Sequence, residues 1–248
     1  MAGRPPGAYP CVRHRQPSRE PAMHTNSAIH ARVPAAVALR GAANMQHPGT
    51  VTAGQPRMLT KGEELFAEGD PAEYFYKVVS GAIRTCKLLS DGRRQIDAFH
   101  LPGDVFGLEA GADHRFTAEA LGDATLVAYR RSRLSELTAA DPAFGNQVLA
   151  SMMKCLGRAQ DHMLLLGRKT AHEKIATFLL DMASRISSDD EHVELPMQRS
   201  DIADHLGLTI ETVSRTLTCF ARQGLIRLQA GSRSVDLCNK AALRRLDA

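Results

Sequence analysis

Residues 199–218 read RSDIADHLGLTIETVSRTLT, and the spacing inside this stretch decides how the C-terminal part of the chain is read. Ala203 stands four residues before Gly207, and Val213 stands six residues after it. Two short helices joined at a sharp corner need a small residue where they cross and a glycine where the backbone turns tightly. They also need an apolar residue where the second helix packs back on the first. Ile202, Leu206, Leu208, Val213 and Leu217 supply buried contacts, and Thr209 is placed to cap the second helix. Thr216 departs from the pattern, since isoleucine or leucine is usual there; Leu217 stands next to it to compensate. The stretch reads as a helix-turn-helix.

The face this arrangement leaves outside carries Glu211, Thr212, Ser214 and Arg215 in the first turn and a half of the second helix. A recognition helix meets base edges there. Arginine can pair bidentately with guanine, glutamate can accept from cytosine N4, and serine can serve either base. Singly, Glu211 has a second reading as a partner of the helix dipole, and Arg215 as a phosphate or solvent contact. An acid aimed at DNA is costly unless it reads a base, so the set together favours base readout. Arg199 and Ser200, opening the first helix, join Thr209 as further candidate DNA contacts. Beyond the helices, Gln223–Ile226 and Gly231–Leu237 read as a short β-wing, with Arg227 and Arg233 as candidate phosphate contacts.

Outward from this core, residues 58–129 alternate short apolar runs with glycine turns at Gly69-Asp70, Ser80-Gly81, Asp91-Gly92 and Pro102-Gly103-Asp104. Strands recurring about every ten residues indicate an all-β barrel or jelly roll, closed by Thr117–Tyr129. Asp141-Pro142 then reads as an N-cap followed by proline at the first helical position. Val148, Met152, Cys155, Ala159, Met163 and Leu166 follow Phe144 at near-heptad steps and form a candidate dimerisation seam. A second stripe, Leu149, Met153 and Leu156, is expected to face the barrel. A single wide buried face in a monomer is the alternative. Gly167 reads as a hinge, followed by a helix from about Thr170 to Ile186 that Ser187–Asp190 breaks.

The charge is uneven along the chain. Formal net charge is +4, but residues 1–57 hold seven arginines, no lysine and the single acid Glu20. Residues 58–195 are acidic, with sixteen basic against twenty-one acidic side chains; residues 196–248 are basic, with eight against five. A basic C-terminal part suits a polyanionic partner. Residues 1–55 lack either periodicity and read as a disordered basic tail, or as a mis-assigned start ahead of Met23 or Met45. No run approaches eighteen apolar residues, so no membrane span is expected. The five cysteines (Cys11, Cys86, Cys155, Cys219 and Cys238) are scattered without a paired spacing. That argues against a structural metal site or a disulfide framework and fits a reducing cytoplasm. HExxH, P-loop, dinucleotide and Gly-x-Ser-x-Gly signatures are absent from the sequence, so an enzyme is not expected. A ligand-receptor module whose C-terminal helices bind protein is the other class. Cys219, one turn past Arg215, is a candidate redox-responsive thiol or simply a small packed helix residue.

The strings KGEELFAEGD (61–70) and FYKVVSGAIR (75–84), the stretch Met163–Glu173, and LPMQRSDIADHLGLTIETVSR (195–215) together resemble the CRP/FNR family of bacterial regulators over about residues 58–240. The E-T-V-S-R face resembles its FNR/FixK branch. The resemblance implies an α+β chain: a cyclic-nucleotide-binding-type β-barrel (56–140), a dimerisation helix (141–167) and a winged helix-turn-helix (168–248). It implies an activator in a low-oxygen response that binds a TTGAT-N4-ATCAA type palindrome in double-stranded DNA as a homodimer and recruits RNA polymerase. Glu211, Ser214 and Arg215 would carry the base reading.

Departures from the family's ligand motifs bear on effectors. Cys11 stands alone ahead of the barrel, so an iron–sulfur cluster lacks its ligands. The phosphate-holding Gly-Glu and Arg-Ser/Thr-Ala motifs are altered to Gly107-Leu108-Glu109 and Arg115-Phe116-Thr117-Ala118. FixK-like proteins act without a bound cofactor, which is the expectation adopted; an effector-gated regulator using haem, nitric oxide or a cyclic nucleotide is the alternative. His14, His100 and His162 are the histidines considered for haem, each also readable as a surface or packed residue.

Overall fold

A computed structural model describes residues 54–186, 191–229 and 231–247. The basic tail and the proposed helix break at Ser187–Asp190 lie outside the described residues. Two four-stranded sheets make the N-terminal part. One runs in the order β1 (Gln55–Leu59), β8 (Ala124–Arg130), β3 (Tyr74–Ser80), β6 (Val105–Phe106). The other runs β2 (Glu64–Phe66), β7 (Thr117–Ala120), β4 (Ile83–Leu88), β5 (Arg94–His100). All pairings between these strands are antiparallel. Alternation along each strand sends Leu59, Phe66, Tyr76, Val78, Ile83, Phe106, Ala118 and Leu126 into one shared core. Gly81 turns β3 into β4 at φ +78°, and a Cβ there would lie 2.4 Å from the Asp123 carbonyl oxygen, so only glycine fits.

After β8, a 3-10 turn at Arg131–Arg133 leads into a short helix, α1 (Leu134–Ala140), and then α2 (Pro142–Arg168). The Asp141 carboxylate accepts from the Ala143 and Phe144 amides at 3.0 and 3.1 Å, which is the expected cap. The helix runs through Gly167 without interruption, so the break expected there falls instead at Lys169-Thr170, before α3 (Ala171–Ile186). The Thr170 hydroxyl and the Glu173 carboxylate exchange hydrogen bonds with each other's amides and start α3.

The expected assignment of the two apolar faces of α2 is corrected in part. Val148 is 4% exposed and packs with Phe75 and Val105, so it belongs to the barrel contact and not to an outward seam. Cys155 and Leu166 are half-buried, and Leu166 leans on the C-terminal core; Ala159 is exposed. The outward stripe is Leu149, Met152, Met153, Leu156, Met163 and Leu164, each 45–67% exposed. Met152 and Met163 of the predicted seam lie on it, and the other four each stand one residue beyond a seam position. The cause is the aromatic cluster of Phe75, Tyr129 and Phe144, with ring centroids 5.1–5.2 Å apart, which forms the seat for Val148.

The C-terminal part comprises α3, β9 (His192–Glu194), α4 (Arg199–Leu206), α5 (Ile210–Arg222), β10 (Arg227–Leu228), β11 (Ser234–Asp236) and α6 (Lys240–Asp247). The strands form an antiparallel sheet in the order β10-β11-β9. Ile175, Phe178, Leu179 and Met182 of α3 meet Ile202, Leu206, Val213, Leu217 and Phe220 in one core. That core continues through Leu121, Ile96 and Phe99 onto the barrel's second sheet. Among the described residues, no helix is long and apolar enough to cross a membrane.

Candidate nucleic-acid interface

The corner between α4 and α5 is built as the spacing requires. Gly207 takes φ +61°, and its amide bonds the Ala203 carbonyl, closing α4. Thr209 caps α5 by accepting from the Thr212 amide at 3.2 Å. Ala203, Leu206, Val213 and Leu217 are buried at the crossing. Thr216, the one departure from pattern, is also buried beside Leu217. Lys174 of α3 is buried as well, and its ammonium donates to the Leu206 carbonyl at 3.0 Å, satisfying the end of α4.

On the opposite side of α5, Glu211, Arg215, Thr218 and Arg222 are exposed, with Ser214 half-buried among them. Their spacing places them along one stripe. Arg199 reaches across from α4, its guanidinium 3.4 Å from the Ser214 hydroxyl. Glu211 is held below the usual carboxylate range by its own backbone N–H, then by the Thr209 hydroxyl, then by the Arg215 charge. It is therefore an ionised acceptor at neutral pH. The structure thus gathers Arg199, Thr209, Glu211, Thr212, Ser214 and Arg215 around the start of α5. Ser200 and Arg233 instead line a cleft of about 260 Å³ with Gln198, Lys61 and Arg84, between α4 and the barrel. Arg233 also donates to the Pro196 carbonyl at 2.8 Å, and Arg227 lies 3.9 Å from Asp236. Cys219 is half-buried on α5.

A group that no sequence pattern flagged lies behind this face. Asp201, in the first turn of α4, is buried; one of its oxygens accepts from the Gln198 amide at 2.9 Å. The other accepts from Arg84 and Arg94, both at 2.8 Å. Arg84 is in turn paired with Glu119, and Arg94 with Asp204 at 2.8 Å.

The barrel interior bears on ligands. Phe66, Tyr76 and Phe106 stack through it, with His114 lying flat on Phe66 at 3.5 Å and His100 on Phe106 at 4.4 Å. Glu109 faces His114 at 3.7 Å, the Thr117 hydroxyl accepts from the Glu68 amide, and the Arg115 guanidinium lies over Phe116. Arg131 clamps the loop by donating to the Ala72, Glu109 and Gly111 carbonyls. The His114 Nδ1 is buried in this loop without a hydrogen-bond partner, and Arg115 is exposed. Among the described residues, no group of three or more His, Cys, Asp or Glu side chains is placed to hold a metal ion.

A jelly-roll barrel joined by a long helix to a winged helix-turn-helix defines a two-domain DNA-binding regulator. Residues 56–141 match the cyclic nucleotide-binding domain family and residues 173–246 the Crp-like helix-turn-helix domain family. The chain is 50% identical over 199 residues to the nitrogen fixation regulation protein FixK of Azorhizobium caulinodans, covering 79% of this chain and 80% of that protein. It is 42% identical over 205 residues to the FixK of Rhizobium meliloti, covering 82% and 93% respectively. The solved structure of FixK2 from Bradyrhizobium japonicum matches with a TM-score of 0.73 at 49% identity, covering 79% of this chain and 98% of that one. The chain belongs to the CRP/FNR family of transcription regulators, and like its relatives it is a regulator and not an enzyme.

Proposed function

We propose that two copies of this chain bind a TTGAT-N4-ATCAA type palindrome, each laying α5 in one major groove, and recruit RNA polymerase as an activator in a low-oxygen response in the cytoplasm. The observation that carries this reading is the outer face of α5. An ionised Glu211, the Ser214 hydroxyl and an exposed Arg215 stand together at its N-terminal end, where a helix in the groove meets base edges. Arg199 and Thr212 flank them, whereas Ser200 and Arg233, in the cleft beside the barrel, are left out of the base-reading set. The exposed stripe Leu149–Met153–Leu156–Met163 of α2 supports a homodimer, because its heptad steps fit a second copy of itself. The protein acts without a bound cofactor on this reading, supported by the aromatic filling of the barrel.

The test is an absorbance spectrum of protein purified without air, next to a DNA titration with no additive. A colourless protein that binds the palindrome unaided is expected. A haem or iron–sulfur band, or binding that requires a cyclic nucleotide, overturns the cofactor-free reading and returns the effector-gated alternative.

A further inference from the structure

The ion network behind the recognition face joins two parts of the chain that are remote in sequence. Arg84 and Arg94 belong to the β4–β5 hairpin, and Asp201 lies 117 and 107 residues away from them on the first helix of the helix-turn-helix. The charges alternate in order: Glu119, Arg84, Asp201, Arg94, Asp204. Asp201 is 4% exposed at its side chain, and both of its oxygens are committed. Next to it, Gln95 donates to the His205 carbonyl at 3.2 Å, and His205 donates from Nδ1 to the Ile96 carbonyl at 3.1 Å. The barrel therefore grips α4 by side chains and backbone together, and α5 follows because it is packed on α4 through Val213 and Leu217.

A dimer that reads two half-sites must hold its recognition helices at one separation and one relative rotation. That geometry depends on how each helix-turn-helix is seated on its own barrel. We propose that the Arg84–Asp201–Arg94 bridge is the positioning device that seats the helix-turn-helix for DNA, in the place an effector would otherwise serve. Arg84, Arg94 and Asp201 are positioning residues; none of them reads a base. The proposal rests on the dimer and palindrome reading above.

The informative variant is Arg84→Gln with Arg94→Gln, which leaves Asp201 free to cap α4. Arg93→Gln is the control, since among the described residues the Arg93 guanidinium pairs with its neighbour Asp91 on an exposed turn, and its loss also removes one positive charge. The readout is affinity for the palindrome compared with palindromes carrying one base pair more or fewer between the half-sites. One base pair changes the separation by about 3.4 Å and the rotation by about 35°, so the parent protein should discriminate on the order of 100-fold. In the double variant the discrimination should fall to about threefold, with the dimer retained in sedimentation, while Arg93→Gln keeps it. In the free protein, amide exchange across β5 and α4 should rise in the double variant alone, a readout that does not depend on DNA. Unchanged spacing discrimination with unchanged exchange overturns the proposal, and tighter binding by the variant would show the contact to be restraining and also overturn it. If the double variant does not fold, Arg94→Gln decides by the same two readouts. A parent protein with no preference for the palindrome instead refutes the DNA-target reading, and the exchange experiment still judges the bridge.

Discussion

Lowering pH from 8 to 5 should cost this protein about 4 kcal/mol of folding stability, because two histidines are buried in the neutral form. His100 is pushed down to about 4 by burial; the charge of Asp104 opposes this, and those of Arg158 and Arg185 add to it. Its Nε2 lies 3.1 Å from the Thr85 hydroxyl. His205 is pushed down to about 3, first by burial and then by His162, whose ring stacks on it at 4.1 Å. In the unfolded chain both return to an ordinary value near 6.5. A folded value below the unfolded one means that the unfolded state takes up protons first. The stability is then complete above about pH 6.5 and drains away as pH falls toward the folded values. At pH 5 the linkage amounts to about 2 kcal/mol for each ring, taken as an order of magnitude. His114 and His162 are also lowered by burial, so they act with the same sign. Urea unfolding at pH 8 and pH 5, at one protomer concentration, measures the difference. His205→Gln should remove about half of it. Stability that agrees within about 1 kcal/mol at the two pH values would refute the argument, since each neutral buried ring requires proton uptake on unfolding.

Other substitutions separate the remaining roles. Arg215→Ala should cost about 1–3 kcal/mol of binding and relax preference at one base pair per half-site, read by competition among single-base variants; uniform weakening on every sequence would make it a phosphate contact. Met153→Glu with Leu156→Glu should convert the dimer to monomer in sedimentation, whereas Val148→Ala, on the barrel side, should lower stability by about 2 kcal/mol and keep the dimer. The reverse pattern would restore the seam first expected. Gly207→Ala should destabilise by about 1 kcal/mol, because its left-handed backbone disfavours a Cβ although Leu166 leaves room for one at 3.5 Å. A neutral effect on chemical unfolding would remove the conformational argument for glycine there.

The parts of the fold that were legible are those set by local spacing. Ala203, Gly207 and Val213 specify the α4–α5 corner because crossing, turn and packing each demand a residue type at a fixed distance. The barrel strands were legible from alternation between glycine turns, and the start of α2 from Asp141-Pro142. What was legible only in part was direction. Periodicity shows that α2 has two apolar stripes, but which one meets the barrel depends on Phe75 and Tyr129, far away in sequence. The Gly167 reading failed because a glycine inside a helix costs little when neighbouring turns are well anchored, here by Leu165 in the C-terminal core. The bridge at Asp201 left no signal, since an acid in a first helical turn is ordinary and its two arginines lie over a hundred residues upstream. Arg131 was missed likewise: its partners are carbonyls, which carry no sequence signature.

The central claim is that paired copies of α5 read bases in a two-fold site. It is met most directly by titrating the palindrome and a shuffled duplex of equal composition at several salt concentrations while weighing the complex. Two chains per palindrome, a preference on the order of 1,000-fold, and affinity that falls steeply with salt are predicted. One chain per duplex, or equal affinity for the two sequences, would contradict the account.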